Sequence, residues 1–399
     1  MSFPELTMRI SLLAAALPIL LTACSERRSG PELLTAPSLT STASAPTLQV
    51  VDGSTGSGSL YRMVRPPNWN GGLLIYAHGY TSPDVPVALP AEADLLVSIL
   101  TPQGFAVAYS SFSQNGWDIK DGAKRTHQLL GLFTSQFGQP AQAYIAGASM
   151  GGLIAIKLAE TYPTAYVGTL AACAMAGGMQ QFFDYDANVR ALFDVFYPGV
   201  LPGNAASLPI GTNVNTQIIG PAVAAMTANP TFVPYFAAIA QTPIPGTTGP
   251  ELVQSIVTAL AGNAVEVNVR QIANGKPYFD NQGTVYSSPY LPASLLQSIN
   301  TAVGRFSASP AARNALANNY APTGAIATPM LMLSGAYDPV VPAFNQASYL
   351  AAATAAGTSN LLVQRVVNAN GHCGFTPQDI ARAFGDLVLW TQYGIKPTP

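Results

Sequence analysis

The chain has 399 residues, of which 49% are hydrophobic and only 9% charged, and its net charge is −2. That length holds one large domain with an insertion, or two domains, and the apolar content supplies a sizeable core. No run of lysine and arginine offers the footprint of a nucleic-acid binder, and the three histidines, His78, His127 and His372, do not stand at metal-ligand spacing to one another.

Ile10 to Leu21 is an apolar run, shorter than the about 20 residues a membrane-spanning helix needs. It ends in Leu21-Thr22-Ala23-Cys24, which resembles a bacterial lipobox. The resemblance implies a signal peptide over 1–23, cleavage before Cys24 and a lipid on its sulfur that anchors without spanning. The alternative is an ordinary secretory signal with an incidental cysteine. Ser25 after the cysteine implies, by similarity to sorting rules in Gram-negative bacteria, an extracytoplasmic address at the outer membrane. Residues 24–47, rich in Ser, Thr, Pro and Ala, read as a flexible tether.

Folded sequence begins near Leu48. Short apolar runs then alternate with helical patterns. Leu73 to Ala77, Phe105 to Tyr109, Ala143 to Ala146 and Tyr166 to Ala172 read as buried strands. Ala91 to Leu100, Asp121 to Phe137 and Met150 to Tyr162 read as helices. This alternation predicts an α/β fold with a mostly parallel sheet covered on both faces. The rhythm breaks over 179–325, where Phe182 to Tyr197, Pro221 to Met226, Pro250 to Leu260 and Pro292 to Phe306 look helical and a hairpin is expected from Tyr278 to Tyr286. So long a stretch is no ordinary loop, and it predicts a helical cap dividing a core of 48–178 and 326–399. Strands resume at Met330 to Leu333 and Leu361 to Val367, and Thr376-Pro377-Gln378-Asp379 opens a last helix with a cap, a first-turn proline and an acid at its positive end.

Between the third strand run and its helix stands Gly147-Ala148-Ser149-Met150-Gly151. Glycines in a strand-turn-helix setting allow a strained turn that exposes a serine hydroxyl. A serine needs a base, and the base an orienting acid. Asp338, in Asp338-Pro339-Val340-Val341-Pro342, and His372, in Asn370-Gly371-His372, each lie just beyond a predicted strand. In a parallel sheet those positions share one edge with Ser149. The backbone N–H of Met150, next after the serine, is an expected oxyanion donor.

The order Ser149, Asp338, His372, the glycine-flanked turn and the two loops resemble the α/β-hydrolase superfamily, over about Leu48 to Gly178 and Ala325 to Gly394. The chain looks most similar to secreted bacterial esterases with a large cap between strands 6 and 7. The resemblance implies that His78-Gly79-Tyr80 is the His-Gly-x oxyanion loop, with Tyr80 N–H the second donor and His78 and Gly79 supporting it. It further implies an ester hydrolase needing no metal or cofactor, whose partners are a small or polymeric ester and, through Cys24, a membrane. Cys173 and Cys373 are both expected at the catalytic edge, where a disulfide would pin the histidine loop; two buried free thiols are the alternative. Tannases and feruloyl esterases also have a cysteine after the histidine, paired with one before the serine, a place held here by Ala148.

Trp117 follows the second strand run closely enough to reach the site, and Phe182, Phe183 and Tyr185 are pocket candidates within a stripe that usually signifies core packing. Two rival readings stand. One is a serine peptidase on the same fold, for which Asp184, Asp186, Glu251 or Glu266 would meet a peptide amine. The other is a non-catalytic surface-binding lipoprotein.

Overall fold

The computed structural model describes residues 47–56, 58–268 and 275–399. The leader, Cys24 and the tether up to residue 46 lie outside them. No helix among the described residues is long and apolar enough to cross a membrane.

The first two strands, β1 (Gln49–Ser54) and β2 (Leu60–Arg65), pair antiparallel at one edge. Their half-exposed faces carry polar residues, including an Arg62–Asp52 ion pair at 2.7 Å, so no apolar run betrays them in the sequence. β3 (Gly72–Ala77) is buried throughout, and α1 (Ala93–Leu100) leads to β4 (Ala106–Ser110). Then come α2 (Ile119–Phe137), β5 (Gln142–Ala148), α3 (Met150–Thr161) and β6 (Gly168–Ala172).

Among the described residues six α-helices follow before the next strand: α4 (Gly178–Phe196), α5 (Gly220–Ala228), α6 (Val233–Ala238), α7 (Gly249–Asn268), α8 (Ala293–Ala302) and α9 (Pro310–Asn319). The chain closes with β7 (Met330–Tyr337), α10 (Phe344–Ala355), β8 (Leu362–Asn370) and α11 (Pro377–Tyr393). Asp118 caps α2 by accepting from Asp121 N at 3.0 Å. Thr376 caps α11 as expected, and Asp379 accepts from Thr376 N at 2.9 Å, which completes a capping box.

The eight strands lie in the order β1-β2-β4-β3-β5-β6-β7-β8. β2 joins β4 antiparallel, and every pairing from β4 to β8 is parallel. Strand alternation sends Leu73, Ile75 and Ala77 to one face with α2 and α3, and Leu74 and Tyr76 to the other with α1 and α11. Both faces are therefore dry, which is why the central strands read as unbroken apolar runs.

The aromatic stripe of α4 packs into the core of the six-helix stretch, with Phe193, Phe236, Ile256 and Phe279 fully buried. Glu160, near the end of α3, ties the returning chain to the sheet layers. It accepts from Thr323 N and Gly324 N, each at 2.8 Å, from Tyr349 OH at 2.9 Å, and from Tyr320 OH. The hairpin expected at Tyr278 to Tyr286 forms no strand ladder. Side chains take its backbone groups instead: Arg305 donates to the carbonyls of Asn281 and Thr284, and Asn300 accepts from Tyr286 N at 2.9 Å.

Candidate active site

Parallel strands deliver their following loops to one edge, and the site is assembled from four of them. Ser149 follows β5 directly, with φ 58° and ψ −122°. A non-glycine residue in that region is strained, and strain of this kind clusters at functional turns. Both flanking glycines are sterically required. A Cβ on Gly147 would lie 2.0 Å from Gly151 O, and one on Gly151 would lie 2.0 Å from Ala77 O. The turn is thus wedged between its own helix start and β3.

Asp338 follows β7 and is 1% exposed. Its Oδ1 accepts from Val340 N and Val341 N, each at 2.9 Å. Its Oδ2 meets His372 Nδ1 at 2.9 Å. The Asp-Pro-Val-Val run therefore wraps Oδ1 in backbone donors, while the imidazole Nδ1 reaches both oxygens, 3.1 Å from Oδ1 and 2.9 Å from Oδ2. His372 follows β8, and its other nitrogen, Nε2, faces Cys373 Sγ at 3.5 Å. Ser149 and His372 line the same cavity.

Cys173 and Cys373 are joined, with Cα atoms 5.4 Å apart. Both residues have left-handed backbones, φ 40° and 53°. The bridge holds the histidine loop against the end of β6 where neither backbone would rest freely. The two sulfurs and the His372 ring lie within 4.8 Å of one another, but sulfurs joined to each other offer no thiolate to a metal.

Gly79 approaches the serine closely: a Cβ there would lie 3.3 Å from Ser149 Cβ. His78 is buried, stacks on Phe112 at 3.8 Å and pairs through Nδ1 with Gly79 O at 2.7 Å. Burial holds its pKa below the ordinary imidazole value, as suits a neutral prop for this loop. Met150 opens α3, where a backbone N–H has no helical partner. His127 lies away from this edge, stacked on Tyr162 at 3.7 Å and bonded to Tyr166 OH at 2.8 Å.

The cavity before Ser149 is about 480 Å³, and Tyr80, Trp117, Phe182 and Asp186 are among its walls. Trp117 stands between Tyr80 and Phe182, at ring distances of 4.4 and 5.7 Å. Two of the expected pocket residues lie elsewhere. Phe183 sits behind Trp117, packed edge-on to it and to Tyr278. Tyr185 faces a separate cavity of about 530 Å³ beside Phe344. Successive residues on a helix diverge by 100°, so Phe182, Phe183 and Tyr185 cannot all face one chamber.

Four acids were candidates for meeting an amine. Asp184 pairs with Arg313 at 2.6 Å, and half-buried Glu251 caps the start of α7 through Thr247 N and Thr248 N. Asp186 and Glu266 are both 3% exposed and hydrogen-bonded to each other. Burial is the largest cause raising both carboxyls above their ordinary range. Asp186 stands four residues from Phe182 on the same face of α4, a spacing the sequence displays.

Residues 86–192 match the family described as "Putative esterase". Among solved structures the chain is similar to feruloyl esterase B from Aspergillus oryzae, with 14% identity, a TM-score of 0.51 and coverage of 87% of this chain and 80% of that one. A second Aspergillus oryzae esterase shares 16% identity at a TM-score of 0.48, covering 88% of this chain and 81% of that one. Proline iminopeptidase from Mycobacterium smegmatis shares 14% at 0.44, covering 86% and 98%. No curated protein matches the chain. The chain has the α/β-hydrolase fold, and a segment matching an esterase family runs from the loop after β3 into α4.

Proposed function

We propose that the chain is a serine-dependent carboxylic ester hydrolase working through an acyl-enzyme. The observation that carries this reading is the Asp338–His372 hydrogen bond in the wall of the cavity that also holds Ser149 on its strained turn. Ser149 Oγ attacks the ester carbonyl and passes its proton to His372 Nε2. Asp338 keeps the Nδ1 proton in place and stabilises the imidazolium. The N–H groups of Met150 and Tyr80 receive the oxyanion. His372 returns its proton to the departing alcohol, then activates water to release the acid. Serine–histidine hydrogen bonds often tighten only with substrate present, and Nε2, which faces Cys373 Sγ at 3.5 Å, is the atom that takes the proton.

Residues 179–325 act in this reading as the cap over the site. The lipobox-like Leu21-Thr22-Ala23-Cys24 and the disulfide both support a lipid-anchored protein in an oxidising, extracytoplasmic compartment. Labelling by an organophosphate, lost in Ser149→Ala, tests the nucleophile. Hydrolysis of p-nitrophenyl esters of graded length beside aminoacyl anilides tests the substrate class. Anilide cleavage without ester cleavage would replace the esterase by a peptidase. Incorporation of labelled palmitate that survives Cys24→Ala would end the lipoprotein reading.

A further inference from the structure

The cavity before Ser149 has an unusual charge balance. Two carboxylic acids line it, Asp186 from α4 and Glu92 from the turn before α1, and among the described residues no lysine or arginine does. The rings of Tyr80, Trp117 and Phe182 occupy the same walls. Ring faces and carboxylates attract the same guest, an organic cation, because the aromatic quadrupole is negative above the ring. A neutral guest gains only dispersion there, and an anion is repelled.

The acid at the centre of this wall is a built feature. Asp186 reaches Glu266 on α7 because residue 262 lacks a side chain: a Cβ there would lie 2.2 Å from Asp186 Oδ2. Glu266 Oε2 accepts from Tyr278 OH at 2.9 Å. The Trp117 indole N–H, in the cavity wall, is buried and unpartnered. Two carboxyls share a hydrogen bond only while one keeps a proton, and Arg313 is paired with Asp184. Burying such groups costs stability unless something answers them.

We propose that this chamber selects esters bearing an organic ammonium, with Tyr80, Trp117 and Phe182 holding the cation on their ring faces and Asp186, backed by Glu266, supplying its counter-charge. When the cation enters, the proton the pair shares leaves to solvent, so one positive charge replaces another. The inference rests on Ser149 being the nucleophile.

The test compares kcat/KM for p-nitrophenyl esters of 6-(trimethylammonio)hexanoate, 6-aminohexanoate and the uncharged isostere 7,7-dimethyloctanoate, and for the ester acetylcholine against 3,3-dimethylbutyl acetate. These series place the cation on the acyl and on the alcohol side. The expected result is a preference of about tenfold or more for the charged member of at least one series. That preference should collapse towards unity in Asp186→Asn. Glu266→Gln, which keeps a hydrogen-bonding group opposite Tyr278, should weaken it if Asp186→Asn fails to fold. A wild-type enzyme that labels with organophosphate yet favours the neutral member in both series overturns the inference alone, as does a preference unchanged in the variants. Failure to label overturns the nucleophile itself.

Discussion

The two sides of the cavity are held by different means. The sheet edge is fixed by backbone. Ser149 sits on a turn that no side chain at 147 or 151 could enter, Asp338 is wrapped by amides, and the histidine loop is bolted to β6 by a disulfide. The helical side is fixed by side chains: stacked rings and a pair of buried acids from α4 and α7. Backbone constraint leaves little freedom to drift in position, as chemistry at an ångström scale requires. Side-chain walls are replaceable one residue at a time, which suits a surface that chooses substrates.

The largest effect should come from the edge. Ser149→Ala is expected to lower kcat for the best p-nitrophenyl ester by about 10⁵–10⁶-fold with little change in melting temperature; steady-state kinetics with calorimetry would check both parts. Gly151→Ala should cost more than about 4 kcal/mol, enough to prevent folding, because the new methyl would meet the carbonyls of Ala77 and His78. Soluble yield and circular dichroism would reveal it, and a folded, active variant would break the contrast between the two sides.

Next comes the bridge. Cys173→Ser should lower stability by about 2–5 kcal/mol in urea denaturation. Activity should fall at temperatures where the protein remains folded, since His372 adjoins the lost anchor. The smallest effect lies in the helical wall and appears in pH. Glu266 has its carboxyl pushed up to about 8, chiefly by burial. The native state then keeps a proton that the unfolded chain loses above its ordinary value of 4.5. Stability from this group is present below that value and fades as pH rises towards 8. Asp186 leans the same way, and Tyr278, which donates to Glu266 at 2.9 Å, shapes the slope, with Asp184 and Tyr80 acting on Glu266 through their charge. Glu266→Gln should flatten the decline in melting temperature between pH 5 and pH 8; an equally steep decline in the variant would show that the pair is not the source.

The edge was the more legible side, for a physical reason. Strands buried on both faces must be apolar runs, so β3, β4, β5, β7 and β8 announce themselves, and the polar residues just after them, Ser149, Asp338 and His372, stand out. The disulfide partners follow from the same rule. β1 and β2 were hidden because edge strands carry mixed polarity. The hairpin around Asn281 looked like strands because its residues suit them, yet Arg305 and Asn300 satisfied its backbone from outside. On the helical side, the facing of Phe183 and Tyr185 and the meeting of Asp186 with Glu266 depend on how two helices far apart in sequence roll against each other. Periodicity within either helix does not contain that angle, although the spacing of Phe182 with Asp186 and of Gly262 with Glu266 marks which residues share a face.

The Cys173–Cys373 bond closes a covalent ring of the chain between them. All six helices of the long stretch lie inside that ring, together with β7, Asp338 and the strand leading to His372, while Ser149 lies outside it. A protease that cuts once within the helical stretch therefore severs the backbone without parting His372 from Ser149. The nicked protein should migrate as one species until a reductant is added and as two thereafter. A clip in the helical side would leave Ser149, Asp338 and His372 in one covalent piece.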